Sequence, residues 1–279
     1  MEGNLAVVDR YGIIGYPVSH SRSPAIHRLF ALQTDQTLQY ELIEVAPGKL
    51  DTAVRQFQRT EGKGLNITLP YKSEVIHLVD HLSERAQSAG AVNTLVFQKN
   101  EICGDNTDGI GLMRDLLVNL GLKLADVSIL ILGAGGATRG IVGPLLDAKP
   151  KLITIANRTM SKARVLAEHF SVSGPVTACR FREVPPSSSY DLVINATSAG
   201  VKGEVPSYPE SAITDRTFCY DLSYGINPTP FCDWAEKRGA THSVMGWGML
   251  VEQAAESFHL WRGIMPDTRR VLKQIAITA

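Results

Sequence analysis

Short apolar runs alternate with stretches of helical period along most of the chain, which is the pattern of parallel strands joined by crossover helices and predicts an α/β fold. Residues 11–15 read as a first strand. Ser23 is then expected to cap a helix with Pro24 at its first position and Ala25, Ile26, Leu29 and Phe30 as its buried stripe. The same alternation continues with a strand over 40–45, a helix over 50–59, a strand over 64–67 and, after Pro70, a helix from Tyr71. Residues 94–98 and 101–104 flank Lys99-Asn100 as a hairpin, and Asp108 opens a long amphipathic helix through Ile110, Leu112, Leu116 and Leu120.

At Val127 the pattern changes to an almost continuous apolar run, the signature of a strand buried on both faces. A second domain starts here or just before. Further strands are predicted over 152–156, 177–180, 191–195, 218–222 and 241–244, with helices at about 137–147 and 161–170. A helical tail over 248–263 and 267–277 is expected to pack back on the first domain. The domains predicted are 1–107 for substrate, 108–242 for cofactor and 243–279 as returning helices. The one low-complexity stretch is the Pro185-Pro186-Ser187-Ser188-Ser189 loop.

A length of 279 residues fits this division into two compact domains. Lysine plus arginine and aspartate plus glutamate each total 28, so no global field favours nucleic acid or an anionic membrane. A small-molecule partner fits better. Residues 1–10 lack a basic-then-apolar leader and no run is long enough to span a bilayer, so a cytoplasmic protein is expected, as a monomer or homodimer. Cys103, Cys179, Cys219 and Cys232 form no CxxC pair and read as reduced, buried small hydrophobes.

The apolar run at 127–132 leads straight into Gly133-Ala134-Gly135-Gly136-Ala137. Glycines between a buried strand and a helix let backbone approach a pyrophosphate, and the helix start supplies free N–H groups. Thr138 stands where the dinucleotide fingerprint wants a small residue, with Gly140 two places on. Such a turn can also merely pack a helix; the end of the next strand decides between these readings. There, where NAD enzymes keep a carboxylate for the ribose diol, stand Asn157-Arg158-Thr159. Arg158 can grip a 2′-phosphate with two charge-assisted hydrogen bonds, the Thr159 hydroxyl can add another, and Lys162 adds charge. The second domain is therefore predicted to be a Rossmann-type NADP-binding domain.

Four polar clusters in the first half fall at predicted strand ends or helix starts: Ser19-His20-Ser21-Arg22-Ser23, Asn66 to Lys72, Gly90-Ala91-Val92-Asn93-Thr94, and Gly104 to Gly109. Together with the glycine turn, Asn157-Arg158-Thr159, Asn195-Ala196-Thr197-Ser198 and Gly246-Trp247-Gly248-Met249-Leu250, they follow the order and spacing of shikimate dehydrogenases, which the chain resembles over nearly its whole length. The resemblance implies a two-domain form with a mixed first sheet and the active site in a cleft. It also implies NADPH-dependent, reversible reduction of 3-dehydroshikimate to shikimate, in chorismate and aromatic amino-acid biosynthesis. Carried over residue by residue, it makes Lys72 and Asp108 the catalytic pair. Ser21, Ser23 and Tyr224 would hold the substrate carboxylate and Thr68, Asn93 and Gln253 its hydroxyls. Thr197, Leu222 and Gly246 would join the glycine turn at the cofactor.

Chemistry agrees with the pair, because oxidising a secondary alcohol requires removal of the hydroxyl proton as hydride leaves the same carbon. Taken alone, Lys72 reads as a surface lysine and Asp108 as a helix cap. His20 and His27 have no third ligand at metal spacing and read as structural; no metal is expected. Tyr16, Met245 and Leu222 depart from residues common in the family. Two other readings stay open: a quinate/shikimate dehydrogenase preferring NAD, which Arg158 opposes, and a silent metabolite sensor, which would have no need of a proton carrier.

Overall fold

A computed structural model describes residues 8–184, 190–197, 199 and 208–278 of the chain. The Pro185–Ser189 loop and Ser198 of the Asn-Ala-Thr-Ser motif lie outside the described residues. Two compact units emerge, one formed by the chain through Thr107 together with Gln253–Thr278, the other by Asp108–Glu252.

The first unit is built on a six-stranded sheet in the order β2-β1-β3-β5-β6-β4, with β1 Asp9–Gly15, β2 Leu38–Glu44, β3 Gly62–Ile67, β4 His81–Leu82, β5 Thr94–Gln98 and β6 Glu101–Asp105. Strand β1 runs parallel to β2 and β3, β5 runs antiparallel to β3 and β6, and β4 parallel to β6, so the sheet is mixed. Helices α1 (Ser23–Gln33), α2 (Leu50–Arg59), α3 (Glu84–Ala89) and α9 (Thr268–Thr278) belong to this unit. On one face Leu50, Val54 and Phe57 of α2 pack with Ile14, Leu65, Ile67 and Leu95. Elsewhere Phe30 meets Phe258, and Tyr11 stacks on Trp261.

Register fixes where the polar clusters go. Ile14 pairs with Ile67, Asn66 with Thr94, and Thr94 with Asp105. The ends of β1, β3 and β6 and the start of β5 therefore lie along one edge of the sheet. All four polar clusters of the first half border that edge.

The second unit holds a six-stranded, wholly parallel sheet in the order β12-β11-β10-β7-β8-β9. Its strands are β7 Ser128–Leu132, β8 Leu152–Ala156, β9 Val176–Cys179, β10 Leu192–Asn195, β11 Phe218–Asp221 and β12 His242–Met245. Both faces are covered: Ile129 and Ile131 pack with Leu112, Ile141 and Leu145, whereas Leu130 and Leu132 pack with Val193 and Phe231. That accounts for the unbroken apolar run. Helices α4 (Asp108–Arg114), α5 (Gly136–Asp147), α6 (Met160–Phe170) and α7 (Pro230–Lys237) belong here, and α8 (Trp247–Arg262) starts in this unit and continues into the first. The expected fold class, a mixed-sheet α/β unit and a Rossmann-type unit with the last helices returning to the first, is the one found.

Several local expectations need correction. Ser23 is not the cap of α1 but its first helical residue; Arg22 is the cap and makes no side-chain cap bond, while Ser21 Oγ accepts the Ser23 N–H at 3.3 Å. Ala25 is exposed, and the buried face of α1 is Ser23, Ile26, His27, Phe30 and Ala31. No α-helix starts at Tyr71, because the Lys72 carbonyl accepts the Val92 N–H at 2.7 Å and is lost to an i→i+4 ladder; a 3₁₀ turn forms at Val75–Leu78 instead. The long helix from Asp108 is regular only to Arg114. It widens into a π turn over Asp115–Asn119, where the Leu120 N–H reaches back to the Asp115 carbonyl and the Asp115 carboxylate takes the Tyr220 hydroxyl at 2.6 Å. Short α3 and α7, each with a bonded cap at Ser83 and Thr229, were not predicted.

Candidate active site and cofactor crevice

In the first unit, the Thr68 N–H bonds the Ile14 carbonyl at 2.9 Å and the Tyr16 N–H bonds the Leu69 carbonyl at 2.9 Å, which ties the loops after β1 and β3 together. A Cβ on Gly15 would collide with the Thr68 methyl. In the first loop the Ser21 and Ser23 hydroxyls are 3.1 Å apart, at the start of α1. On the second, Thr68 and Lys72 are half-buried. The Tyr71 hydroxyl donates to the Val45 carbonyl at 2.5 Å and pins the segment that carries Lys72.

Asn93 stands at the same edge, just before β5, and is 2 % exposed. Its Oδ1 accepts the Thr107 N–H at 2.8 Å and the Thr94 hydroxyl at 2.9 Å, and its Nδ2 donates to Thr107 Oγ1 at 2.9 Å and Gln253 Oε1 at 3.4 Å. Asn66 extends the network, donating to Ser257 Oγ at 3.0 Å and accepting the Tyr40 hydroxyl at 2.7 Å. Polar groups this deep remain only because each finds a partner, and the partnering leaves their orientations no freedom. Ser21, Ser23, Thr68, Lys72, Asn93 and Gln253 thus all belong to the first unit. Asp108, 3 % exposed, follows Thr107 as the first residue of the second unit, and Tyr224, its ring 4.7 Å from that of Trp247 and tilted 45° to it, also belongs to the second.

In the second unit the strand order reverses at β7, between β8 and β10. Ligands of open parallel sheets bind at the carboxyl ends of the strands at such a point. The turn there is Gly133 to Ala137. Gly133 has φ +110°, and a Cβ on it would stand 2.8 Å from the Ala196 carbonyl oxygen, so only glycine fits. At Gly135, by contrast, no described residue lies within 4 Å of a Cβ position, and backbone is open to a ligand at the start of α5. Thr138, at the place where a small residue was wanted, is fully buried, and its hydroxyl closes the turn onto the Gly133 carbonyl at 3.0 Å.

At the end of β8 the Asn157 amide donates to the Thr159 carbonyl at 2.9 Å and shapes the bend into α6, with Arg158, Thr159 and Lys162 exposed around it. No acidic residue stands between Asn157 and Lys162. Open glycine backbone, a helix start and cations in place of a carboxylate fit a phosphorylated dinucleotide. Beyond β10 and β11, Thr197 and Leu222 are half-buried, and Gly246 sits so close to the Asp221 and Leu222 carbonyls, 2.8 Å from a Cβ, that it too must be glycine.

Family models match three stretches: the shikimate dehydrogenase substrate binding domain over 13–95, shikimate/quinate 5-dehydrogenase over 116–215, and the shikimate 5′-dehydrogenase C-terminal domain over 246–276. The chain belongs to the shikimate dehydrogenase family. It is 50 % identical over 268 residues, 96 % of both chains, to a shikimate dehydrogenase (NADP(+)) of Methylococcus capsulatus. Among solved structures it is similar to an Ael1 enzyme from Pseudomonas putida, with TM-score 0.84 and 44 % identity over 95 % of this chain and 97 % of that one. A Thermus thermophilus shikimate 5-dehydrogenase in complex with NADP(H) and shikimate gives TM-score 0.84 at 30 % identity, covering 97 % and 99 %.

Sequence reasoning passed over Asn66, Thr107 and Ser257, which order the polar edge, and Asp221, which orders the crevice. Asn66 and Thr107 stood inside motifs already singled out. Ser257 carries no local signal.

Proposed function

We propose that this chain catalyses the reversible NADP-linked interconversion of shikimate and 3-dehydroshikimate, the step its relatives are named for, in chorismate and aromatic amino-acid biosynthesis. What carries the reading is the polar edge of the first sheet, in a chain of this family whose second sheet has a glycine turn followed by Arg158 rather than a carboxylate. The first unit is the substrate unit and the second the cofactor unit. Ser21, Ser23 and Tyr224 take the substrate carboxylate, and Thr68, Asn93 and Gln253 its hydroxyls.

NADP, when bound, accepts the hydride, and NADPH donates it in reverse. The residues that would hold it are Gly133, Ala134, Gly135, Gly136 and Ala137 at the pyrophosphate, Asn157, Arg158, Thr159 and Lys162 at the 2′-phosphate, and Thr197, Leu222 and Gly246 beyond. Lys72 takes the proton of the reacting hydroxyl as its carbon is oxidised and returns it in reduction. Asp108 is its partner and passes the proton on towards solvent. Acid–base assistance of this kind contributes roughly 10²–10⁴ in rate.

Among the described residues no helix is long and apolar enough to cross a membrane. A cytoplasmic setting and a monomeric or homodimeric state belong to the same proposal; light scattering distinguishes the two states. Following reduced-nicotinamide absorbance after mixing the protein with shikimate and NADP tests the function. Turnover is expected with that pair; none with it, or faster turnover with quinate and NAD, overturns the reading. Lys72→Ala is expected to abolish most turnover while NADPH affinity persists, and near-normal turnover rejects its role.

A further inference from the structure

We propose that Asp221 is the positioning residue of the reacting half of the cofactor site, acting through the loops it ties and not by contact with the dinucleotide. The inference rests on the NADP reading above. In a parallel sheet that reverses at β7, the turn after β7 receives the pyrophosphate. With Arg158 at the end of β8 taking the 2′-phosphate, the adenosine lies on the β8 side of β7. The nicotinamide half then falls on the other side, over the ends of β10 and β11.

Those two ends meet on one carboxylate. Asp221, the last residue of β11, is 1 % exposed. Its Oδ1 accepts the Asn195 side-chain amide at 2.9 Å and the Ser223 N–H at 3.0 Å, and its Oδ2 accepts the Thr229 hydroxyl at 2.5 Å. Asn195, the last residue of β10, turns its own Oδ1 to the Thr197 N–H at 3.2 Å and the Thr197 hydroxyl at 2.8 Å. Its carbonyl takes the Leu222 N–H at 2.9 Å. Thr229 in turn caps α7, accepting the Cys232 N–H at 3.2 Å.

Thr197, Leu222 and the strand end against which Gly246 packs are therefore all fixed through Asp221 and Asn195. The Ala196-Thr197 backbone is also the wall that the Gly133 turn presses on. Burial raises the Asp221 pKa, and its ring of donors opposes that shift. The carboxylate accepts from all three donors at once, whereas an amide keeps one acceptor oxygen: its NH2 faces either the Thr229 hydroxyl, which must then give up its own donation, or the Asn195 and Ser223 N–H groups, which cannot accept. By contrast, Asn157 and Thr159 bond within their own bend and to the Cys179 carbonyl of β9, and among the described residues they share no partner with Asp221.

This separation predicts a split between the halves of the cofactor. In Asp221→Asn, KM for NADP is expected to rise and kcat to fall by roughly ten- to a hundredfold in combination, the loss typical of hydrogen bonds to a charged group. Binding of adenosine 2′,5′-bisphosphate, which carries the adenosine and the 2′-phosphate but no nicotinamide, should stay within about twofold, because its partners are untouched. Calorimetric titration of that probe and of NADPH, beside steady-state kinetics, gives both readings. Should Asp221→Asn fail to fold, Thr229→Val removes one donor to Asp221 together with the α7 cap, leaves the Asn195 and Ser223 bonds in place, and is expected to show the same split in smaller measure. Equal loss for both ligands, or unchanged kinetics in a folded variant, overturns the positioning role. Wild-type protein that binds neither ligand would overturn the NADP reading itself, a result distinct from either.

Discussion

The role proposed for Arg158 rests on chain position alone: the end of the strand after a glycine turn is where a bound ribose is met, and a guanidinium there cannot serve a bare diol as a carboxylate does. Arg158→Ala is expected to weaken NADPH roughly ten- to a hundredfold, the worth of a charge-assisted pair, and scarcely to affect NADH. Equal loss for the two in fluorescence titrations would reject that role. His27 is the opposite case, since nothing along the chain shows how deeply it lies. Its imidazole is fully buried, stacked on Tyr40 at 4.3 Å beside Phe30, Phe258 and Trp261, and among the described residues neither nitrogen has a hydrogen-bond partner. Burial pushes its pKa down to about 3, against a slight opposite pull from nearby Asn66. The folded form thus keeps His27 neutral, while the unfolded chain takes up a proton below its ordinary value near 6.5. This contribution to stability is complete above about pH 6.5 and is lost as pH falls towards 3, at about 1.4 kcal/mol per unit. Urea unfolding at pH 7 and pH 5 is expected to show wild type losing about 2 kcal/mol more than His27→Phe over that interval. Equal losses would mean that the imidazole is not held neutral.

Among the elements, α2 and β8 were read with their observed bounds, since each is set by its own periodicity and local signals. The turn at Tyr71 and the π turn at Asp115 were not, because each is decided by a partner far along the chain, Val92 in one case and Tyr220 in the other. The candidate site shows the same division. Its four polar clusters were visible one by one, but their common edge depends on β5 running against β3, which no local pattern encodes. Close helix packing is equally hidden. Pro144 lacks the N–H that would bond the Gly140 carbonyl within α5, and Gly109 of α4 comes against that carbonyl so closely that a Cβ would collide with it and with the proline ring. Both obstacles are rigid. Gly109→Ala is therefore expected to lower stability by about 1–3 kcal/mol, measured by chemical denaturation, and an unchanged midpoint would mean that the helices can separate freely. Arg85 joins three elements: it grips Asp105 of β6 at 2.6 and 2.9 Å and Glu256 of α8 at 3.0 Å. Arg85→Ala leaves two largely buried carboxylates without the guanidinium they share, and a loss of about 3 kcal/mol is expected by the same measurement, with a loss below about 1 kcal/mol showing that they find other partners.

At the scale of the whole molecule, the proposed cofactor site makes stability depend on ligand identity. A ligand that binds only the folded form at a hundred times its Kd adds about 2.7 kcal/mol, which for units of this size moves Tm by roughly 5–10 °C. The turn at Gly133, the exposed backbone at Gly135 and the cations after β8 all lie in the unit formed by Asp108–Glu252. Of these, only the cations distinguish the two dinucleotides, because the 2′-phosphate is their one chemical difference. Scanning calorimetry of the wild type at equal concentrations of NADP and NAD is therefore expected to give a clear shift with NADP and a small one with NAD. In Arg158→Ala the NADP shift should fall to near the NAD value, whereas in Lys72→Ala it should persist although turnover is lost. Equal shifts from both dinucleotides in the wild type would show that the cations after β8 do not choose between them. A shift lost in Lys72→Ala would place that residue in cofactor binding and not in proton transfer.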